Sequence, residues 1–515
     1  MFLGLDSSTQ SLSAIIIDPA SRKIIASHSV NFGRNLPQYL SPNGFIPEGK
    51  NGEVHSNPLM WLDALDLLFR ELSENADLSR IEIIAGSGQQ HGSVYFNAKF
   101  DHSLSTLDPA QSLSSQLSSS LTRKTSPIWM DTSTGEECAE ITASVGGSSE
   151  VCARSGSNAI ERFTGPQIRR FWKTDPDAYG RTSRIHLVSS FIASVLAGKS
   201  MPIDFGDGAG MNLLNLGDLE WDAGLLNATA PELDRKLPPP VSCLTALAGI
   251  STYFSTKYGI SSNCKICPFT GDNPASLVGM GATTPGQVVI SLGTSDTYFA
   301  AMPTAKTDPQ GYGHVFGNPA GGFMSLICFR NGSLARECLR DELHVDWSAF
   351  EKESLLASSD SAGKNLTLPF YGAEITPRYD FEKPVTDFTE EQTPGRRIRS
   401  LLEGQFLNMR LHSQWMGVTT ERIRLTGGAS QNDGIAQLVA DVFQAPVERL
   451  EVENSAALGA ALIAATAMGN DLVEMQNIYC KPASNSLLQP NTELGEVYSS
   501  ALGKYAKLLK MHIKS

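Results

Sequence analysis

Apolar and polar residues alternate along the chain in two different periods. Short apolar runs at 13–18 (SAIIID), 81–88 (IEIIAGSG), 287–293 (QVVISLG) and 422–428 (RIRLTGG) are typical of strands. Between them lie segments with the helical period, such as NPLMWLDALDLLFRELSENA at 57–76. Strands that alternate with helices predict an α/β fold.

Two stretches interrupt this alternation. The Ser/Leu-rich stretch at 101–126 predicts a surface insertion. The Pro-rich stretch KLPPPVSCLTAL at 236–247 is typical of a crossing between two domains, and 515 residues are too many for one small core. We therefore predict an amino-terminal domain at 1–247 and a carboxy-terminal domain at 248–515.

Two segments share one pattern, an apolar run, a turn of small or hydroxyl-bearing residues, and a second apolar run. They are FLGLDSSTQSLSAIIID at 2–18 and VVISLGTSDTYFAA at 288–301. Each predicts a β-hairpin whose turn can direct N–H and O–H donors at a phosphate group. One such segment alone would be an ordinary hairpin, but two alike in one acidic chain favour phosphate binding.

A third segment, IRLTGGASQNDGIAQLVADVF at 423–443, predicts a strand that runs into a helix. The paired glycines Gly427 and Gly428 let a flat group approach the backbone, and Asn432 can reach that group from the helix start. Taken alone, this is also a common turn between a strand and a helix.

The segment FTGDNPAS at 269–276 places one acid, Asp272, between a glycine and an Asn-Pro pair. Gly, Asp, Asn and Pro are the usual residues of a surface turn. The same arrangement suits a catalytic base at the edge of a binding site. The segment by itself leaves both interpretations open.

The composition indicates which kinds of binding partner and which cellular compartment suit the protein. A net charge of −13 argues against nucleic acid and against anionic membrane as main partners. The amino terminus has no basic region typical of a signal peptide, and no apolar run approaches the roughly 18 residues of a membrane span. Eight scattered cysteines suit a reducing compartment, so we expect a cytoplasmic protein.

Taken in order, these segments resemble the sugar kinase, Hsp70 and actin superfamily, and within it the FGGY carbohydrate kinases. The resemblance covers nearly the whole chain and is most marked for the longer, animal-type xylulokinase branch. It rests on SGQQHGSV (87–94), PIWMDTST (127–134), ERFTG (161–165), LVSSF (187–191), DGAGMNLL (207–214), FTGDNPASL (269–277) and SLGTSDT (291–297). One departure is WMDTST, where an arginine often follows the acid in bacterial relatives, so the resemblance leaves the role of Asp131 open.

The resemblance implies two RNase H-like domains with the active site in the cleft between them. It implies ATP-dependent phosphorylation of D-xylulose to D-xylulose 5-phosphate, with Asp272 as the general base on the C5 hydroxyl group. Phosphoryl transfer also needs a metal ion on the phosphate groups. Asp6 would hold Mg²⁺ through water, since Mg²⁺ keeps part of its hydration shell.

The resemblance also assigns binding residues. The sugar would contact five residues: Gln90, His91, Arg162, Asp272 and Asn273. The nucleotide would contact Ser8, Thr9, Gln10, Gly293, Thr294, Ser295, Trp347, Gly427, Gly428, Ala429 and Asn432. For Trp347, in HVDWSAF, a tryptophan on the surface of a helix is the rival interpretation.

Two alternatives accompany this assignment. A related kinase could act on another polyol, such as ribulose or glycerol. A scaffold of the Hsp70 or actin kind would bind ATP with the same hairpins and no sugar. The polar residues at 87–92 and the acid Asp272 favour a sugar kinase, which we expect to be a monomer or a homodimer.

Overall fold

The computed structural model describes residues 1–47, 49–245, 248–356, 362–450 and 454–513. The strands are β1 (Phe2–Ser7), β2 (Ser11–Asp18), β3 (Lys23–Asn31), β4 (His55–Ser56), β5 (Ile83–Gly88), β6 (Ser93–Phe96), β7 (Ser126–Pro127), β8 (Arg184–Leu187), β9 (Ile203–Asp204), β10 (Pro240–Val241), β11 (Ala248–Gly249), β12 (Lys265–Ile266), β13 (Thr270–Gly271), β14 (Gln287–Leu292), β15 (Asp296–Met302), β16 (His314–Gly317), β17 (Phe323–Phe329), β18 (Thr367–Leu368), β19 (Ala373–Ile375), β20 (Arg378–Asp380), β21 (Val385–Thr386), β22 (Arg422–Thr426) and β23 (Val447–Arg449).

The helices are α1 (Phe32–Asn35), α2 (Pro58–Asn75), α3 (Phe100–Ser105), α4 (Leu113–Leu117), α5 (Gly135–Ser144), α6 (Ser148–Ser155), α7 (Thr164–Thr174), α8 (Pro176–Arg181), α9 (Val188–Ala197), α10 (Phe205–Gly208), α11 (Ala223–Thr229), α12 (Leu233–Lys236), α13 (Thr252–Tyr258), α14 (Asp272–Gly279), α15 (Ser333–Glu342), α16 (Trp347–Leu356), α17 (Pro394–Ser413), α18 (Asp433–Phe443), α19 (Ser455–Ala467), α20 (Leu472–Tyr479) and α21 (Gly495–His512). Within the described ranges, none has both the length and the apolar content that a membrane crossing requires.

The elements predicted from the hydrophobic pattern are confirmed. The four apolar runs form β2, β5, β14 and β22, and the helical segment at 57–76 forms α2. Asn57 caps this helix by accepting a hydrogen bond from the Leu59 N–H group, and Pro58 occupies its first turn. Such a start is favoured because the first N–H groups of a helix have no partner inside it.

Contacts divide the chain into two units. Unit 1 comprises Met1–Gly281, Val315–Phe323 and Val452–Cys480, and unit 2 comprises Ala282–His314, Met324–Glu451 and Lys481–Ser515. Each is built around a mixed sheet with helices, which agrees with the predicted α/β fold.

The sheet of unit 1 has the strand order β11–β12–β5–β1–β2–β3, and β13 also pairs with β5. The first three strands in sequence form an antiparallel meander, while β1, β12 and β13 all run parallel to β5. Its core includes α2, whose buried side chains pack with those of β1, β2 and β5. The carboxyl ends of the parallel strands therefore lie along one edge of the sheet.

Helix α19 lies unusually close to β1 and to α14 in unit 1. A Cβ atom on Gly4 would lie 2.1 Å from the carbonyl oxygen of Ala457, and one on Gly459 would lie 1.8 Å from that of Ala275. On the facing helix, a Cβ atom on Gly279 would lie 1.9 Å from the Ser455 carbonyl oxygen. These glycines let the backbones touch, so α14 is held rigidly against the sheet.

Unit 2 repeats the first pattern, as the two similar hairpin segments predict. Its strands run in the order β17–β15–β14–β22–β23. The hairpin β14–β15 is antiparallel, and β22 pairs parallel to β14 as β5 does to β1. Beside this sheet, α17 packs against α18 and α21.

The Ser/Leu-rich stretch is more than a surface insertion. It forms α3 and α4, and three of its leucines, Leu104, Leu113 and Leu117, are buried in the core of unit 1. The segment packs against α2 because its leucines recur at helical spacing between exposed serines.

The predicted boundary at residue 247 falls on a residue outside the described ranges. The contacts divide the chain later, after Gly281. The strands β11, β12 and β13, which follow the Pro-rich stretch, all join the sheet of unit 1.

Candidate active site

Three parallel strand ends bring together the predicted base Asp272, the predicted metal ligand Asp6, and two predicted sugar contacts, Gln90 and His91. Ser87 of β5 is aligned with Asp6 of β1 on one side and with Thr270 of β13 on the other. Asp272 follows β13 by one residue, and Gln90 and His91 follow β5. Residues far apart in sequence therefore meet at one edge of the sheet, where ligands of parallel sheets usually bind.

Asp272 is the first residue of α14 and is partly buried, so the segment is a strand–helix junction and not a surface turn. Its Oδ1 atom accepts hydrogen bonds from the N–H groups of Gln90 (3.4 Å) and Asn273 (2.8 Å) and from Asn273 Nδ2 (3.1 Å). Burial raises the pKa of the Asp272 carboxyl to about 6, against the backbone hydrogen bonds from Gln90 and Asn273, which lower it. A carboxylate with such a pKa can accept a proton near neutral pH.

Gln90 links two parts of the site. Its Nε2 atom donates to the Gly206 carbonyl oxygen at 3.3 Å, and its Oε1 atom accepts from Asn273 Nδ2 at 2.8 Å. A Cβ atom on Gly271 would lie 2.5 Å from Gln90 Cγ. Glycine before Asp272 is therefore needed for Gln90 to lie against the strand end.

His91 is buried and adopts a positive φ of 73°. Its Nδ1 atom is 2.7 Å from the Gly210 carbonyl oxygen, so Nδ1 carries the proton and Nε2 is the acceptor of the neutral ring. Burial lowers the pKa of His91 to about 3, and the Arg162 charge adds to this effect. The imidazole is therefore neutral at physiological pH.

Arg162 is half-buried beside the same group of residues. Its guanidinium lies 5.7 Å from the centre of the Phe163 ring, and the Phe163 ring is 4.4 Å from the His91 ring. The structure thus brings all five predicted sugar contacts into one region of unit 1, with carboxylate, amide, imidazole and guanidinium groups side by side. Such a mixture is suited to the many hydroxyl groups of a sugar.

Sequence reasoning missed the residue that organises this region, Asp204. Its carboxylate accepts hydrogen bonds from Thr270 Oγ1 (2.5 Å), the Gly206 N–H group (2.8 Å) and the Cys243 N–H group (2.7 Å). It therefore fixes β13 to the segment whose carbonyl groups hold Gln90 and His91. An acid directly after an apolar run, as with Asp6, is the signal that would have indicated it.

Asp6 lies at the end of β1 and is 9% exposed. Its Oδ1 atom accepts a hydrogen bond from Ser87 Oγ at 2.8 Å. Burial and the nearby charge of Asp272 raise the pKa of Asp6 to about 7. A buried carboxylate beside a second carboxylate, as Asp6 is beside Asp272, favours a cation next to it.

The turn at 8–10 follows Asp6 at the tip of the first hairpin. The Ser8 N–H group and Ser8 Oγ both donate to the Ser11 carbonyl oxygen, at 2.9 and 3.0 Å. Thr9 Oγ1 accepts a hydrogen bond from Trp129 Nε1 at 2.8 Å, and Gln10 is exposed. The turn is thus closed by its own hydrogen bonds, with the Gln10 side chain open to solvent.

In unit 2, the second hairpin turn and the paired glycines lie at neighbouring strand ends. Ser291 of β14 is aligned with Thr426 of β22, so Gly293–Ser295 and Gly427–Asn432 leave the sheet at the same edge. Thr294 and Ser295 are exposed. Gly427 has a φ of 89°, and a Cβ atom there would lie 2.4 Å from the Leu292 carbonyl oxygen, so only glycine allows this approach.

A cavity of about 220 Å³ opens beside these turns in unit 2. The residues that line it include Gly428, Ala429, Asn432 and Trp347, all predicted nucleotide contacts. Asn432 Oδ1 caps α18 by accepting from the Ile435 N–H group at 2.9 Å, which fixes the orientation of its amide. The sequence pattern thus indicated four of the residues around one cavity.

Trp347 is 42% exposed, as expected for either interpretation of this residue. The Arg340 guanidinium lies 4.6 Å from the centre of its ring, and the Phe350 ring meets it edge-on at 5.5 Å. An indole fixed in this way and lining a cavity can stack on a flat ring.

Asp131, whose role the resemblance leaves open, is fully buried and accepts several hydrogen bonds. Its carboxylate accepts from the Val54 N–H group, from the Ser133 N–H and Oγ groups, and from Gln167 Nε2, at 2.7–3.0 Å. Burial alone would raise its pKa, but hydrogen bonds from His55, Ser133 and Val54 lower it overall. Asp131 therefore serves to join neighbouring loops.

Comparison with known proteins agrees with this architecture. Residues 1–279 match the N-terminal domain of the FGGY family of carbohydrate kinases, and residues 288–468 match its C-terminal domain. A xylulose kinase of Rattus norvegicus is 39% identical over 525 residues, covering 98% of this chain and 96% of the relative. Xylulose kinase 2 of Arabidopsis thaliana is 40% identical over 489 residues, covering 90% and 87%.

Among solved structures, the xylulose kinase from Rhodospirillum rubrum has a TM-score of 0.82 at 20% sequence identity. The match covers 99% of this chain and 98% of that one. At this identity the likeness shows the fold, which is that of the sugar kinases. With both family domains matched along most of the sequence, the chain belongs to the FGGY family of carbohydrate kinases.

Proposed function

We propose that this carbohydrate kinase transfers the γ-phosphoryl group of ATP to the C5 hydroxyl group of D-xylulose, which yields D-xylulose 5-phosphate and ADP. The kind of sugar follows from the xylulose kinases that are 39–40% identical over 90–98% of the chain. The observation that best supports phosphoryl transfer is the position of Asp272, a carboxylate at a strand end whose pKa is raised by burial to about 6. Asp272 lies beside the four other predicted sugar contacts, Gln90, His91, Arg162 and Asn273.

In the proposed reaction Asp272 acts as the general base. The hydrogen bonds from Gln90 and Asn273 are all to Oδ1, which leaves Oδ2 as the oxygen that accepts the proton in the proposed reaction. Oδ2 accepts the proton of the C5 hydroxyl group as the hydroxyl oxygen bonds to the γ-phosphorus atom. The bond from that phosphorus to the bridging oxygen breaks, and ADP leaves with the electron pair.

Sugar selectivity comes from the buried groups around Asp272. The neutral His91 ring offers Nε2 as an acceptor, the Arg162 guanidinium offers donors, and Asn273, whose Nδ2 atom already donates to Gln90 and Asp272, offers its amide oxygen as an acceptor. An epimer such as D-ribulose would leave one of these groups unpaired, and an unpaired buried polar group costs about 1–3 kcal/mol.

In unit 2, Trp347, Gly428, Ala429 and Asn432 line the cavity that would hold adenosine, and Gly427 directly precedes Gly428. Ser8, Thr9 and Gln10 in unit 1 and the turn Gly293–Ser295 in unit 2 stay predicted phosphate contacts. A stable phosphate site in an acidic protein requires such local donors, because the net charge of −13 repels anions.

A Mg²⁺ ion fits Asp6, because Mg²⁺ prefers carboxylate oxygen as a ligand. The negative charge of Asp272 beside Asp6 also favours a bound cation there. Among the described residues, no group of three or more His, Cys, Asp or Glu side chains could hold a metal ion. A single carboxylate with water and substrate phosphates is the usual arrangement for Mg²⁺. Bound there, the ion would neutralise charge on the phosphate oxygens.

We also propose that the amino-terminal domain binds the sugar and that the carboxy-terminal domain makes most of the contacts with ATP. Three further properties stay predictions from the sequence: the domain boundary near residue 247, the cytoplasmic location, and the monomeric or homodimeric state.

A coupled assay of ADP release over a panel of acceptors tests the proposal. We expect D-xylulose to give the highest kcat/KM, ahead of D-ribulose and glycerol. A preference for D-ribulose or glycerol would refute D-xylulose as the substrate, but the protein would still be a carbohydrate kinase. ATP binding without turnover of any sugar would instead favour the scaffold alternative.

A further inference from the structure

A buried ion pair lies directly behind the second hairpin turn. Arg336 of α15 donates from Nη2 to Asp296 Oδ1 at 2.9 Å and from Nη1 to Asp296 Oδ2 at 3.0 Å. Both side chains are 1% exposed. Two parallel bonds of this kind fix both side chains in position and orientation.

The pair also fixes the turn Gly293–Ser295 to the start of α15. The Gly293 carbonyl oxygen accepts from the Ser333 N–H group at 2.9 Å and from Arg336 Nη2 at 3.4 Å. Arg336 Nη2 further donates to Ser333 Oγ at 3.3 Å. Asp296 is the residue after the turn, so both ends of the turn are tied to one guanidinium.

The surroundings leave this arrangement little freedom. Gln405 of α17 accepts from Arg336 Nη1 at 3.0 Å and donates from Nε2 to the carbonyl oxygens of Asn331 and Gly332, at 2.7 and 3.0 Å. A Cβ atom on Gly332 would lie 2.6 Å from Asp296 Oδ1. The chain entering α15 can therefore approach the carboxylate only as glycine.

Ser333 and Arg336 also line the cavity that contains Trp347 and Gly428. The ion pair thus connects the predicted phosphate-binding turn with the wall of the cavity proposed for adenosine. It does so without adding net charge, because the carboxylate balances the guanidinium.

We propose that Asp296 and Arg336 are positioning residues for the nucleotide, whose ion pair holds the turn Gly293–Ser295 in the arrangement that binds the phosphate groups. The inference rests on the proposed nucleotide site. Although Arg336 lies in the wall of the cavity, its side chain is 1% exposed and bonds to the Gly293 carbonyl oxygen, so the pair acts on the ligand through the turn and its effect falls mainly on the phosphate groups.

The test compares ADP with adenosine on the full-length protein. Arg336→Lys keeps the positive charge but loses the planar fork, and Asp296→Asn keeps the shape but loses the negative charge. ADP binding is measured by calorimetry, and adenosine binding by ligand-observed NMR. We expect ADP affinity to fall at least about tenfold and adenosine affinity to change less than about threefold.

A matched control is Arg399→Lys in the same unit. Arg399 forms a comparable pair, donating to Glu403 Oε1 at 2.8 Å and to the Tyr498 hydroxyl group at 2.9 Å. It does not line the cavity, so this variant keeps the wild-type affinity for ADP. If a single variant fails to fold, the double variant Asp296→Asn with Arg336→Gln leaves no buried charge unpaired and takes its place.

Equal losses of ADP and adenosine affinity would show that the ion pair only stabilises the fold, and this would overturn the inference. Unchanged ADP affinity would overturn it as well. Wild-type protein that bound neither compound would refute the nucleotide site itself. A selective loss for ADP, absent in Arg399→Lys, supports the inference.

Discussion

Replacing Asp272 by asparagine removes the proposed base while keeping the shape of its side chain. The hydrogen bonds from Gln90 and Asn273 all reach Oδ1, an oxygen that asparagine retains. We therefore expect the variant to fold normally and to bind ATP with wild-type affinity. The amide nitrogen that replaces Oδ2 cannot accept the proton of the sugar.

The size of the effect follows from the role. A general base contributes about 10²–10⁴-fold to the rate, which corresponds to roughly 3–5 kcal/mol of activation free energy. With a pKa of about 6, the carboxylate is about 90% ionised at pH 7 and about 10% ionised at pH 5. The titration of Asp272 should therefore lower wild-type kcat/KM for the sugar about tenfold per unit below pH 6, and the residual activity of the variant should lack the part of the pH dependence that Asp272 contributes.

The assay is steady-state ADP release from pH 5 to pH 8, with the sugar and ATP each varied. The matched control is Asp222→Asn, the same change at the buried start of α11, where the carboxylate accepts from the Leu225 N–H group at 2.9 Å. Asparagine caps helices as well as aspartate, so the control keeps wild-type activity. Turnover of Asp272→Asn within about threefold of wild type would show that Asp272 is no base.

Three further predictions concern the same unit. His91→Ala removes the proposed sugar acceptor and leaves the Gly210 carbonyl oxygen without its hydrogen-bond partner at 2.7 Å. KM for D-xylulose should therefore rise roughly ten- to a hundredfold, while KM for ATP should hardly change. A defect specific to ATP would instead assign His91 to the nucleotide site. Asp6→Ala should lower kcat and weaken the dependence on Mg²⁺, without changing sugar affinity measured in the absence of nucleotide; lost sugar binding with a normal Mg²⁺ response would contradict the metal role. His186 is fully buried, and burial lowers its pKa to about 3, so the folded state binds fewer protons than the unfolded state and stability falls as the pH drops below about 6.5. In urea unfolding at pH 7 and pH 5, His186→Gln should therefore lose about 2 kcal/mol less than wild type; equal losses would show that His186 does not contribute to the acid sensitivity.

The sequence by itself determined the local elements and the type of chemistry. The apolar runs specified β2, β5, β14 and β22, because a strand buried on both faces needs a continuous apolar segment. Periodic apolar residues and the Asn-Pro start specified α2. These features depend on neighbours within a few residues, which a single sequence displays directly.

The function-bearing segments were also visible as patterns. The two hairpin turns, the paired glycines before Asn432 and the acid Asp272 each stood out as residues that an ordinary strand or helix would not need. Their resemblance to one enzyme family in one order indicated which chemistry they share.

Only the tertiary structure decided which side chains meet. Asp204 bonds to Thr270, 66 residues away, and Arg336 bonds to Asp296, 40 residues away, and no periodicity along the chain reports either pair. Arg336 looks like a surface residue of an amphipathic helix but is 1% exposed, because its charge is balanced where the helix meets the turn.

The same holds for packing. The leucines of the Ser/Leu-rich stretch join the core, and Gly4 and Gly459 let α19 touch its neighbours, since both depend on surfaces supplied by distant segments. A sequence specifies which residues can be buried. Strand order and parallel register decide which of them share an edge, because those depend on pairings between residues tens to hundreds of positions apart.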